Sequence, residues 1–191
     1  DDWHHHEKFM AQAFAKYANE IAKAGKAIKN IPMYVNAWLG PQPGQTEAGH
    51  WPSGGPSSLV LDDWKKHAPY IDILSPDIYD LAALEVMDQY HRRDNALFIP
   101  ESRHILGNLF WAIGHHSAIG YSMFGAEDAR IDNQMAKAFK VLNQATKTIA
   151  EAQASGKIRM SRHEHVILAS IVEKETGARF CSTVEEVLKN A

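Results

Sequence analysis

The run Ala96-Leu97-Phe98-Ile99 is apolar at consecutive positions and stops against Pro100-Glu101-Ser102-Arg103. A strand with apolar side chains on both faces needs cover on both faces, and a buried parallel strand has it. Pro100 has no N–H to give to a ladder, so regular pairing is expected to stop there. Glu101 then stands at the carboxyl end of a strand, where α/β enzymes keep their chemistry. The plainer reading makes Glu101 a helix N-terminal acid or the ion-pair partner of Arg103.

The same unit repeats along the chain. Residues 5–26 carry Phe9, Met10, Ala13, Phe14, Tyr17, Ala18, Ile21 and Ala22 at helical spacing, with Gly25 as terminator. Met33 to Trp38 reads as a strand with a polar, aromatic end. A Pro- and Gly-rich loop over residues 40–57 follows, holding His50 and Trp51; loops this long are usually functional or mobile, and a solvated insertion is the plainer reading. A short helix over 59–67, capped by Ser57 or Ser58, leads to a strand over 71–75. Pro76-Asp77-Ile78-Tyr79 is its polar exit. Helix 81–92, the strand ending at Glu101, helix 105–116, strand 118–124 and helix 132–153 complete the series. Strands alternating with helices argue for a parallel sheet joined by right-handed crossovers. A (β/α)8 TIM barrel places all such strand ends at one mouth and takes about 250 residues, so four units are half of one. A doubly wound sheet is the alternative, but no Gly-rich phosphate fingerprint follows any strand.

Composition narrows the partners. A net charge of -3 with 23% charged residues gives no footprint for nucleic acid or a membrane surface. The single cysteine, Cys181, excludes an internal disulfide and a cysteine metal set. No apolar run reaches membrane-spanning length, and no signal peptide is read at Asp1. The chain opens in a helical pattern without Met, so a fragment is expected and the compartment stays open. The 11 histidines raise a metal reading through His4-His5-His6, His104, His115-His116, His163 and His165. Adjacent or i, i+2 histidines do not share a helix face and no His-Glu-x-x-His occurs, so scattered surface histidines and no metal are expected.

Five blocks in order carry a resemblance: 32–39 (PMYVNAWL), 49–56 (GHWPSGGP), 72–79 (DILSPDIY), 99–103 (IPESR) and 120–125 (GYSMFG). Together they resemble glycoside hydrolase family 35, specifically bacterial β-galactosidases with a (β/α)8 barrel, over about residues 7–157. The resemblance implies that residues 1–157 are the four C-terminal units of that barrel. It implies a retaining hydrolase of terminal β-D-galactosides, acting on oligosaccharides or polysaccharides. Glu101 matches the nucleophile after the seventh strand, which attacks the anomeric carbon while a second Glu protonates the leaving oxygen. Asn36, Trp38, Trp51, Tyr79, Arg103 and Glu127 are the candidate substrate-binding residues, with Arg103 also placed to keep Glu101 ionised. For Asn36, Trp38, Trp51 and Tyr79 packing beneath the loop is the competing role, and for Glu127 it is an ion pair with Arg130. No cofactor is implied, since this chemistry needs two carboxylates and water. A periplasmic or secreted parent fits the family.

Two departures stand out. The segment bearing the acid/base Glu has no counterpart here, which predicts a weak or inactive isolated chain, or a non-catalytic carbohydrate-binding fragment. Half a barrel also leaves sheet edges open, a route to self-association. Beyond about residue 158 the resemblance stops, and residues 158–191 read as a helical tail, with Ser182 to Glu185 as a capping box. Within it, residues 167–176 resemble the catalytic helix of endolytic murein transglycosylases, with Glu173 as the acid; an alternating charge pattern on a surface helix is the plainer account of the same residues.

Overall fold

The computed structural model describes residues 3–41, 44–47, 49–79, 82–128, 130, 133–158, 160–162 and 164. The tail from residue 165, with Glu173 and the expected capping box, lies outside the described residues, as do His163 and His165. The elements are α1 (Trp3–Ile28), β1 (Tyr34–Ala37), α2 (Leu61–His67), β2 (Ile73–Ile78), α3 (Ala83–Tyr90), β3 (Phe98–Ile99), β4 (Glu101–Ser102), α4 (Leu106–Gly114), β5 (Gly120–Tyr121) and α5 (Gln134–Ala154). Short 3-10 turns over Ser58–Val60 and Ala126–Asp128 precede α2 and follow β5.

Among the described residues the named strands pair in parallel: β1 with β2, β2 with β4, and β3 with β5. Two prolines set where pairing changes partner. Pro76 is the last residue of β2 in register with β1, opposite Ala37, and the next residue, Asp77, is in register with Glu101 of β4. Pro100 separates β3, which pairs with β5, from β4, which pairs with β2. Each missing N–H thus falls at a changeover, and pairing resumes beyond Pro100 instead of stopping there. Taking β3 and β4 as one strand broken at Pro100, spatial neighbours are also neighbours in sequence. Among the described residues the strands do not close into a barrel.

Leu74, Ile78, Leu97, Ile99, Leu84, Met87, Leu109 and Trp111 are fully buried. Each large apolar side chain taken from water contributes about 1.5–3 kcal/mol, which holds helices to strands despite short ladders. Asn95 joins β2 to this core from within. Its Oδ1 accepts from Leu74 N at 2.8 Å, and its Nδ2 donates to the carbonyls of Leu74 at 2.8 Å and Tyr90 at 2.9 Å.

The first helix corrects the sequence reading. Its buried face is Glu7, Ala11, Ala15, Asn19 and Ala22, while Phe9 is 70% and Tyr17 69% exposed. Small side chains let α1 lie close to α2, where Gln12 donates to Asp63 at 2.9 Å and Asn19 accepts from Tyr70 N at 3.0 Å. The helix also runs through Gly25 to Ile28. Ser57 gives α2 no side-chain cap. Asn133 does cap α5, accepting from Met135 N at 2.7 Å.

Candidate functional site

Parallel strands deliver their carboxyl ends to one side, and three of them bring polar side chains there. Asn36 comes from β1, Asp77 from β2 and Glu101 from β4. The register puts Asp77 level with Glu101. Tyr79 follows β2 two residues after Asp77.

The side chains form two linked pairs. Asn36 Nδ2 donates to both oxygens of Asp77 at 3.0 Å. The Tyr79 hydroxyl donates to Glu101 Oε1. Burial pushes the Asp77 carboxyl up to about 6, with the Asn36 amide opposing and the Glu101 charge adding to the rise. Burial also raises the Tyr79 phenol well above its ordinary value, reinforced by its bond to Glu101 and by the charges of Glu101 and Asp77. Tyr79 is therefore a fixed proton donor in the hydrogen bond, and Glu101 its acceptor.

Two aromatic rings pack beside Tyr79. Trp38 lies roughly parallel to Tyr79, with ring centroids 6.0 Å apart at 17°. Phe124 meets Tyr79 edge-on, at 6.3 Å and 69°. Trp38 Nε1 donates to Gln45 Oε1 at 2.9 Å, which ties the start of the long loop to its middle. The His104 Nε2 to Phe124 carbonyl contact is 2.8 Å, and Ser102 Oγ donates to the Ser122 carbonyl at 2.7 Å. These bonds fix the chain on either side of Glu101 and Phe124.

Asn36, Trp38, Tyr79 and Glu101 thus come together. The other expected residues do not join them. Trp51 is 4% exposed, packs against Gly40, and donates from Nε1 to Glu7 at 3.3 Å. It is a packing residue under the loop, with no face open to a ligand. Arg103 is exposed and forms no ion pair with Glu101; the partner of Glu101 is the Tyr79 hydroxyl. Glu127 sits exposed on the turn after Phe124, with no hydrogen bond to Tyr79 or Glu101. The structure adds Asp77 and Phe124. Residues i and i+2 of an extended segment face the same way, so Asp77-Ile78-Tyr79 already pairs the carboxylate with the phenol.

The arrangement presents an oriented carboxylate, a neighbouring carboxyl near half-protonation at mildly acidic pH, an amide and an aromatic wall. That set suits a polyhydroxylated ligand with an electrophilic centre. No protein-family model and no curated protein matches the chain.

Proposed function

We propose that this chain carries the nucleophile side of a retaining β-galactoside hydrolase. The observation that carries the reading is the Tyr79–Glu101 hydrogen bond at the end of β4, beside the Trp38 ring. Parallel strands that neighbour one another in sequence order fit one half of a (β/α)8 barrel, with the site at the carboxyl ends. Glu101 attacks the anomeric carbon as the glycosidic bond breaks, and the leaving oxygen takes a proton from an acid. Water then cleaves the resulting ester and Glu101 returns as carboxylate. Tyr79 holds Oε1 of Glu101, and the other oxygen is the one assigned to the attack. Trp38 offers its face to the apolar side of the sugar, and Asn36, held by Asp77, meets hydroxyls. The preference for galactose rests on the resemblance of the five sequence blocks.

Asp77 is the carboxylate beside Glu101, but both its oxygens are engaged by Asn36. It is therefore read as positioning Asn36, and the acid role is left to a residue beyond this set. The isolated chain is accordingly a weak catalyst on natural substrates.

A 2-deoxy-2-fluoro-β-galactoside with a dinitrophenyl leaving group tests this, because that leaving group needs little protonation and the fluorine slows ester breakdown. Digestion and mass mapping should place the label on Glu101. A folded chain that takes no label, or takes it elsewhere, overturns the nucleophile assignment. A folded chain that binds galactosides unlabelled supports the second reading, a carbohydrate-binding module, which the exposed Trp38 face favours.

A further inference from the structure

We propose that Asp88, His115 and His116 bind one divalent transition-metal ion, with zinc the ion their donors fit. Asp88 lies near the end of α3, and the two histidines directly follow α4. Each offers one ligand atom, and the three atoms lie within 4.8 Å of one another. The cluster uses none of the residues around Glu101.

The atoms around the three ligands make the case. A metal-binding imidazole usually gives its second nitrogen to a fixed partner, which sets the tautomer and the ring's aim. His115 Nδ1 lies 2.6 Å from the Met160 carbonyl, so it carries the proton and leaves the lone pair on Nε2. His116 Nδ1 lies 3.0 Å from His91 Nδ1, so one of the two donates to the other. With the proton on His116, its Nε2 is a bare lone pair. Asp88 gives Oδ2 to Arg162 at 3.2 Å and keeps Oδ1 turned to His116.

His116 is the telling residue. It is 3% exposed, and its Nε2 makes no hydrogen bond. That nitrogen stands 3.4 Å from Asp88 Oδ1, too loosely placed for a bond. With its proton on Nδ1 toward His91, the buried and unpartnered Nε2 of His116 and Asp88 Oδ1 are two acceptors facing each other. A cation between them satisfies both.

The donor set chooses the ion. Two imidazoles and a carboxylate are borderline ligands suited to Zn²⁺ and its close analogue Co²⁺, whereas Mg²⁺ and Ca²⁺ prefer oxygen throughout. The site would tie together the ends of α3 and α4 and the strand of chain after α5, since Met160 N also donates to the Gly114 carbonyl at 2.8 Å. Sequence spacing hides it, because adjacent histidines diverge on a helix. Here α4 ends at Gly114, and Ser117 takes φ 52°, so the pair lies on a turn.

The test is titration of the metal-stripped full chain with Co²⁺, read by its visible d–d absorption, followed by displacement with Zn²⁺. One equivalent of Co²⁺ should bind and be displaced, and Zn²⁺ should raise the melting temperature. Asp88→Asn and His115→Gln change exposed side chains, so both variants should fold, as circular dichroism would check. Each should weaken binding by about 10-fold or more. Replacing His4, His5 and His6 together with Gln should leave binding intact. No saturable Co²⁺ spectrum overturns the proposal. So does a spectrum that survives Asp88→Asn and His115→Gln, or one that vanishes with the His4–His6 replacement.

Discussion

The Tyr79 hydroxyl, carried just past β2, donates to Glu101 Oε1 at the start of β4. One strand's exit thus orients a carboxylate on its neighbour. Replacing Tyr79 with Phe removes the donor and keeps the ring against Trp38 and Phe124. A hydrogen bond to a charged group contributes about 1.5–3 kcal/mol. The rate of Glu101 labelling by the fluorogalactoside should therefore fall about 10- to 100-fold. Timed mass spectrometry measures it, and an unchanged rate would remove Tyr79 from the site.

Asp77 makes stability depend on pH in a defined direction. Its folded value, about 6, lies above the ordinary 3.8, so the native state holds a proton that the unfolded chain has lost between these values. Where the native state binds more protons, stability falls as pH rises. The contribution is full below pH 3.8 and gone above about 6. Asp77→Asn keeps an acceptor for Asn36 without the charge. It should be more stable than wild type at pH 7 by about 1 kcal/mol, discounted from the bare shift because the group is half-buried. Urea unfolding at pH 4 and pH 7 checks both ends, and the advantage should shrink at the lower pH.

Asn95 makes three buried hydrogen bonds, and apolar substitution strands their partners. Asn95→Ala leaves Leu74 N and the Leu74 and Tyr90 carbonyls without this side chain. Unsatisfied buried groups cost about 1–3 kcal/mol each, softened by relaxation, so a loss of about 2–4 kcal/mol is expected. Denaturant unfolding reads it directly.

Gly40 marks the close approach of the loop to Trp51. A Cβ there would fall 2.3 Å from the indole ring. Gly40→Ala should cost about 1–3 kcal/mol of stability, because the ring is buried and hemmed in. The shift in melting temperature measures it.

Much of this architecture was readable from residue pattern. Each strand overlaps or adjoins an expected run, but β2 continues through the expected exit to Ile78, and Asn36 and Glu101 lie within β1 and β4 while Trp38 and Tyr79 follow β1 and β2. What escaped was contact across elements. Trp51 and Trp38 look alike in sequence, but Gly40 gives Trp51 a place to bury and leaves Trp38 at the rim. Arg103 is two residues from Glu101, yet the partner comes from the neighbouring strand. The histidine cluster depends on a turn that helical periodicity cannot see.

The orientation of α1 gives the sharpest test of side-chain packing against hydrophobicity. Hydropathy nominates Phe9, Tyr17 and Ile21 as core, yet these are 70%, 69% and 55% exposed. Ala11 and Ala15 are 0% exposed and set how near α1 lies to α2. Exposed positions that lose apolar bulk change stability by about 0.5 kcal/mol or less. Phe9→Gln and Tyr17→Gln should therefore unfold near wild type. Ala15→Leu adds a branched side chain where no room exists, and overpacking costs about 1–3 kcal/mol. The alanine should thus matter more than either aromatic. Chemical denaturation of the three variants decides it: large losses at Phe9 and Tyr17 with tolerance at Ala15 would mean that α1 packs through its aromatic face.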